Sequence, residues 1–198
     1  MSQLRTDTKY CWVDGEFLPE DSAVIASVDP GLSVGLGVFD SLGGYAGKPF
    51  DLAKHHKRLS HDASKCGLAA PEYTELDELL VELMRLNGFS EDRCRLRVSI
   101  YAQANGGQSV IANATELPMR NEYSTCVLSP YRVNEFSPLA GVKSTSYAGN
   151  SLVLREALQQ AADEAIMLNT SGHLCEGATS NLFLVNNGEL YTPPLSSG

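Results

Sequence analysis

The 198-residue chain is as informative for what it lacks as for what it holds. No apolar run approaches the roughly 18 residues that a membrane span needs. The opening "MSQLRTDTKYCWVDGEF" has no apolar core of the kind a secretory signal carries, so a cytoplasmic location is expected. Cysteine is sparse and dispersed: Cys11, Cys66, Cys94, Cys126 and Cys175 stand singly, with no C-x-x-C pair. That excludes a disulfide framework and points to reduced thiols, most of them small core residues. The four histidines (His55, His56, His61, His173) form no H-E-x-x-H or Cys/His spacing, so zinc is not expected. Positive charge is also short. Lys and Arg number 15 against 24 Asp and Glu, a net −9 that excludes nucleic acid and anionic membrane as main partners.

What is present is an ordinary globular mixture, 43% hydrophobic and 20% charged. "KYCWVDGEFLPEDSAVIA" reads as two strands joined by a turn at Asp14-Gly15. A glycine-dense stretch follows, then a helix with Asp51 as its N-cap. Its apolar stripe runs through Leu52, His55, Leu59, Ala63 and Cys66 and ends at Gly67. "TELDELLVELMRLNGF" predicts a second helix capped by Thr74 and stopped at Asn87-Gly88, and "RCRLRVSIYAQA" alternates as a strand. Residues 105–121 read as a loop or linker, with a domain boundary near 118, between Leu117 and Pro118. Beyond it come a strand ("EYSTCVLSPYRV") and a helix ("NSLVLREALQQAADEA") with Leu154, Leu158, Ala161 and Ala165 on one stripe. A short-stranded meander with a hairpin turn at Asn187-Gly188 closes the chain. The pattern predicts two α+β domains.

One stretch raises a functional question. From Phe136 to Leu154 the only charged residue is Lys143. An ordinary lysine has a pKa near 10.4. Removing water disfavours its ammonium, and a neutral amine is a nucleophile toward an aldehyde. A surface lysine beside Ser144, Thr145 and Ser146 is the competing reading. Glu176, in "LCEGATSNLF", could hold a protonated heteroatom or be an exposed turn glutamate. Arg58 could grip a phosphate through its planar fork or form a solvated pair with Asp62 one turn on. The glycines of "GLSVGLG" (Gly31, Gly35, Gly37) are spaced G-x-x-x-G-x-G with no βαβ unit around them, which favours tight packing over a dinucleotide cradle.

Taken in order, these segments resemble the class IV aminotransferases, the fold-type IV enzymes that use pyridoxal 5′-phosphate (PLP). The residues that carry the likeness are "VDGEFLPEDSAVIASVDPGLSVGLGVFDSL", "FDLAKHHKRL", "VKSTSYAGNSLVLREA" and "EGATSNLFLVNNGELYTPP". The resemblance implies a small N-terminal α+β domain over 1–118. It also implies that 119–198 begin a larger, β-rich PLP-binding domain, here incomplete, and that the enzyme is a homodimer. It implies that Lys143 forms the Schiff base with PLP and moves the substrate proton. Arg58 would hold the phosphate, Glu176 the pyridinium nitrogen, and Tyr147 the ring's phenolic oxygen.

The expected activity is transamination between a small amino acid and a 2-oxo acid. Elimination of pyruvate from aminodeoxychorismate is the enzymatic alternative, and a non-catalytic truncated protein the remaining one. Three departures stand out. Leu36 replaces the acidic residue of the family's G-D-G, and Asp40 replaces its usual glutamate. The arginine-glycine pair after the mid-domain strand is missing, which leaves Arg97 as the nearest carboxylate-binding charge. The chain also stops before the family's second phosphate-binding turn.

Overall fold

The computed structural model describes residues 8–117, 119 and 122–198. They fall into two compact units. The first holds the described residues up to Met119 together with Lys143–Ser146; the second holds 122–142 and Tyr147–Gly198. Pro118, at the expected domain boundary, lies outside the described residues.

The first unit is built on a six-stranded antiparallel sheet. Strands β1 (Tyr10–Val13), β2 (Glu16–Pro19), β3 (Gly37–Tyr45), β4 (Lys48–Pro49), β5 (Arg93–Ala102) and β6 (Gln108–Glu116) are arranged β2-β1-β6-β5-β3-β4. The β1–β2 hairpin forms at the expected turn, with Asp14 and Gly15 both at positive φ. A single helical turn, α1 (Pro30–Ser33), precedes β3. Two long helices pack on the sheet: α2 (Leu52–Lys65) on β3, and α3 (Tyr73–Leu86) on β1 and β6. Their apolar stripes supply Leu59, Ala63, Leu76, Leu80, Leu83 and Met84 to the core. β5 supplies Cys94, Leu96, Val98 and Ile100 from alternate positions. Each fully buried leucine contributes about 1.5–3 kcal/mol.

Two local expectations change here, and a third holds in position only. Residues 108–116 are not linker but β6, paired along its whole length with β5. Small and polar residues (Ala112, Asn113, Ala114, Thr115) mask its strand character, yet Ala112 and Ala114 are fully buried between β5 and β1. Thr74 is not the cap of α3, because the helix begins one residue earlier with Glu72 at the cap. Asp51 does hold the N-cap position of α2, but with left-handed backbone and no capping bond; its carboxylate pairs with Lys54 at 2.7 Å.

The second unit contains β7 (Cys126–Val133), α4 (Ala148–Gln159) and β8 (Glu164–Asn169), with β7 and β8 parallel. β9 (Leu174–Gly177) adds antiparallel to β8, and β10 (Leu184–Asn186) pairs with β11 (Glu189–Tyr191) across the expected turn. Asn187 and Gly188 there both take positive φ. The expected stripe on α4 is displaced. Val153 and Ala157 are the buried residues, Leu158 is exposed, and Ala165 belongs to β8. No helix among the described residues is long and apolar enough to cross a membrane. All five cysteines are free, and three of them (Cys11, Cys94, Cys175) are buried.

Candidate active site

Lys143 lies on a segment bonded to the edge of β3 opposite β5, along its buried first residues. Phe39 donates its N–H to the Lys143 carbonyl at 2.9 Å, and Thr145 donates to the Gly37 carbonyl at 2.9 Å. Val38 and Ser144 form a β-bridge between these bonds. Ser144 and Thr145 add hydroxyl bonds to the carbonyls of Gly37 and Gly35. This close approach explains the glycines. A Cβ on Gly37 would meet the Ile100 carbonyl oxygen at 2.6 Å and Thr145 Oγ1 at 2.8 Å. One on Gly35, already at φ +67°, would meet Ser146 Oγ at 2.5 Å. The packing role expected of these glycines holds.

The Lys143 amine lies 4.6 Å from the centre of the Phe39 ring, and the Arg97 guanidinium lies 3.7 Å from the same ring centre. The Lys143 backbone N–H donates to Asp62 Oδ2 at 3.0 Å. A segment free of other charge in sequence therefore has a carboxylate at its backbone and shares the Phe39 ring with a guanidinium. Neither Phe39 nor Asp62 entered the sequence-based set of site residues. Asp62 carried a signal: it falls three residues after Leu59, on the apolar stripe of α2. The solvated pair with Arg58 does not form, since Asp62 is only 2% exposed.

Arg58 is instead bound to Asp40, through Nε at 2.8 Å and Nη2 at 2.6 Å. His55 Nδ1 reaches the same carboxylate at 2.9 Å. Asp40 is buried, while the Arg58 side chain is 47% exposed. The hydrogen bonds to Asp40 push the Arg58 guanidinium above its ordinary value, so it stays charged. Phe39 and Asp40 point to opposite sides of β3, so consecutive residues of one strand hold the lysine amine and the arginine. Arg97 also lines a polar recess of about 290 Å³ with Glu20, Ser41, Arg95, Asn113 and Thr115.

The other two expected residues belong to the second unit. Tyr147 precedes α4, and its hydroxyl donates to the Ala178 carbonyl at 3.0 Å, which Asn150 Nδ2 also reaches at 3.0 Å. Glu176 stands on β9 opposite Met167 and lines a cavity of about 830 Å³ with Arg132, Asn150, Arg155 and Met167. The turn after Glu176 is caged by Glu164. Its Oε1 accepts the N–H of Ala165 and Ala178, and its Oε2 accepts the N–H and hydroxyl of Thr179 and the Ser180 hydroxyl. Burial pushes the Glu164 carboxyl up, but these bonds outweigh it and hold the group below the usual range. Glu164 too was absent from the sequence-based set.

A family model described as "Amino-transferase class IV" matches residues 37–198. The chain belongs to the class IV aminotransferase family. This class IV enzyme is 30% identical to the aminodeoxychorismate lyase of Bacillus subtilis, over 94% of this chain and 68% of that one. Among solved structures it resembles a branched-chain aminotransferase from Thermoproteus uzoniensis with norvaline. The TM-score is 0.88 at 30% identity, over 96% of this chain and 70% of that one. It also resembles a branched-chain amino acid aminotransferase from Escherichia coli, with a TM-score of 0.85 and 24% identity over 96% and 69% of the two chains. A further solved branched-chain aminotransferase of the same fold, at a TM-score of 0.84 and 26% identity, is complexed with N-(5′-phosphopyridoxyl)-L-glutamate. The fold is that of the fold-type IV enzymes, and the protein is an aminotransferase or a lyase of this family.

Proposed function

We propose that the enzyme binds PLP and transfers an amino group between a small amino acid and a 2-oxo acid. One observation supports this reading above others. Lys143 has both backbone groups tied, its carbonyl to β3 and its N–H to α2, so its main chain is fixed from two elements. A nucleophile needs such fixing if its amine is to meet a bound partner repeatedly in one geometry.

The residues present fit the cofactor by their chemistry. Lys143 would hold its aldehyde carbon. Arg58 would hold its phosphate, since Asp40 takes two of the five N–H donors that a guanidinium carries. Glu176 would keep the ring nitrogen protonated, and Tyr147 would meet the ring's phenolic oxygen by turning its hydroxyl proton away from the Ala178 carbonyl, which Asn150 Nδ2 also serves. The bound group would supply an electron sink for the carbanion. Lys143 Nζ would take the proton from the substrate Cα as general base and return it as general acid. Arg97 would orient the substrate carboxylate. In this reading residues 1–118 form the family's small domain, 119–198 belong to its cofactor-binding domain, and the working form is a cytoplasmic homodimer.

The Bacillus lyase relative keeps pyruvate elimination from aminodeoxychorismate as a second reading. The decisive experiment adds PLP to the 198-residue chain, reduces with borohydride and maps the label. A label on Lys143, absent in Lys143→Ala at unchanged melting temperature, is expected. A label elsewhere, or undiminished in Lys143→Ala, overturns the reading. Turnover that requires 2-oxoglutarate as amino acceptor separates transamination from elimination.

A further inference from the structure

A buried carboxylate on the apolar side of a helix costs free energy unless something holds it. Asp62 is such a group. It is flanked on α2 by the buried Leu59 and Ala63 and is 2% exposed. Its Oδ1 is buried without a hydrogen-bond partner among the described residues, and its Oδ2 accepts the Lys143 N–H at 3.0 Å. The two residues are 81 positions apart, so the bond is purely a product of the fold. It joins the helix that carries Arg58, one turn earlier, to the segment that carries the amine. The Asp62 charge also helps to hold Arg58 protonated, after the larger effect of Asp40.

We propose that Asp62 is the positioning residue of Lys143: its carboxylate fixes the lysine backbone from α2 and so sets where the amine can reach. The Lys143 carbonyl is bound by Phe39 of β3 and its N–H by Asp62 of α2. Losing the second tie removes the hold from α2. The peptide plane before Lys143 can then rotate, and the amine samples positions away from Phe39. An anionic acceptor makes a stronger bond to an N–H than a neutral one does. A neutral acceptor of the same shape keeps the tie in weakened form. This proposal rests on the assignment of Lys143 above, yet its first readout does not.

The test compares Asp62→Ala, Asp62→Asn and, as a control for plain loss of packing on the same helix, Leu59→Ala. The first readout is amide hydrogen exchange at Lys143 with no cofactor present. The second is the rate of PLP labelling at Lys143, trapped with borohydride. Asp62→Ala is expected to speed exchange at Lys143 and to slow labelling, each by about tenfold. Asp62→Asn, whose side-chain oxygen still accepts the N–H, is expected to stay within about threefold of wild type on both. Leu59→Ala lowers the melting temperature but leaves labelling of the folded protein within about threefold. Unchanged exchange in Asp62→Ala overturns the proposal. So does equal slowing in Leu59→Ala, or in Asp62→Asn. Should Asp62→Ala not fold, Asp62→Ser replaces it, because its hydroxyl is too short to span the same gap. If wild type takes no label on Lys143, the cofactor reading fails, and the exchange readout still decides whether Asp62 holds the backbone.

Discussion

The two units solve the same problem by different means. The first buries large aliphatic side chains: Leu59, Leu76, Leu80, Leu83, Met84, Leu96 and Ile100 are all at most 1% exposed. The second has a core of small residues, Ala157, Ala162, Ala165 and Ala178, with Val153 and Met167. Leu128, Leu152, Leu158, Phe183, Leu184 and Leu190 are exposed. Its order comes in good part from polar cages. Glu164 gathers four donors of the turn after Glu176, and Glu135 gathers the Thr170 N–H, the Thr170 hydroxyl and the Ser171 hydroxyl at the β8–β9 turn. The lysine is anchored to elements packed on a core of large aliphatic side chains, whereas the turn after Glu176 is held by the Glu164 carboxylate.

That contrast can be broken in three places. The largest effect is expected from Leu83→Ala in α3, which should cost about 2–5 kcal/mol in denaturant unfolding. A loss below about 1 kcal/mol would mean that the first unit does not rest on this burial. Next comes the polar pair set within that hydrophobic unit, Asp40 with Arg58. Arg58→Lys keeps the charge but loses the fork, and PLP affinity measured by titration should fall about tenfold. Unchanged affinity would remove Arg58 from the phosphate. The smallest effect concerns the cage. The folded Glu164 value is depressed, so its stabilisation is full above the ordinary glutamate value of 4.5 and is lost as pH falls through the lower folded value. Glu164→Gln should therefore flatten the acid limb of the Ala178 and Thr179 amide signals as pH falls below the ordinary glutamate value. An acid limb as steep as in wild type would show that the cage does not act through its charge.

Much of this was readable along the chain, and the failures share a cause. The hairpins at Asp14-Gly15 and Asn187-Gly188 were legible because turn geometry demands positive φ at residues that tolerate it. The helices α2 and α3 were legible from their period. β6 was not, because alanine, asparagine and threonine carry little strand signal and acquire it only from pairing with β5 and β1. The Thr74 cap failed for a related reason: a capping residue type marks a neighbourhood of several positions, and the backbone entering the helix selects one, as it does Asp51 for α2.

The same division runs through the site. The order of Arg58, Lys143, Tyr147 and Glu176, and the glycines that admit the lysine segment, are properties of the sequence. They depend on residue type and spacing, which act over a few positions. The company Lys143 keeps is not. Phe39 and Asp62 are remote from it along the chain, as is the Arg97 that shares the Phe39 ring, and these contacts exist only because β3 pairs with β5 and α2 packs on β3. Local sequence set the dihedral preferences. Tertiary packing alone decided that a lysine without charged neighbours in the chain would have a buried carboxylate at its backbone, because only a folded core brings residues 81 positions apart to 3.0 Å.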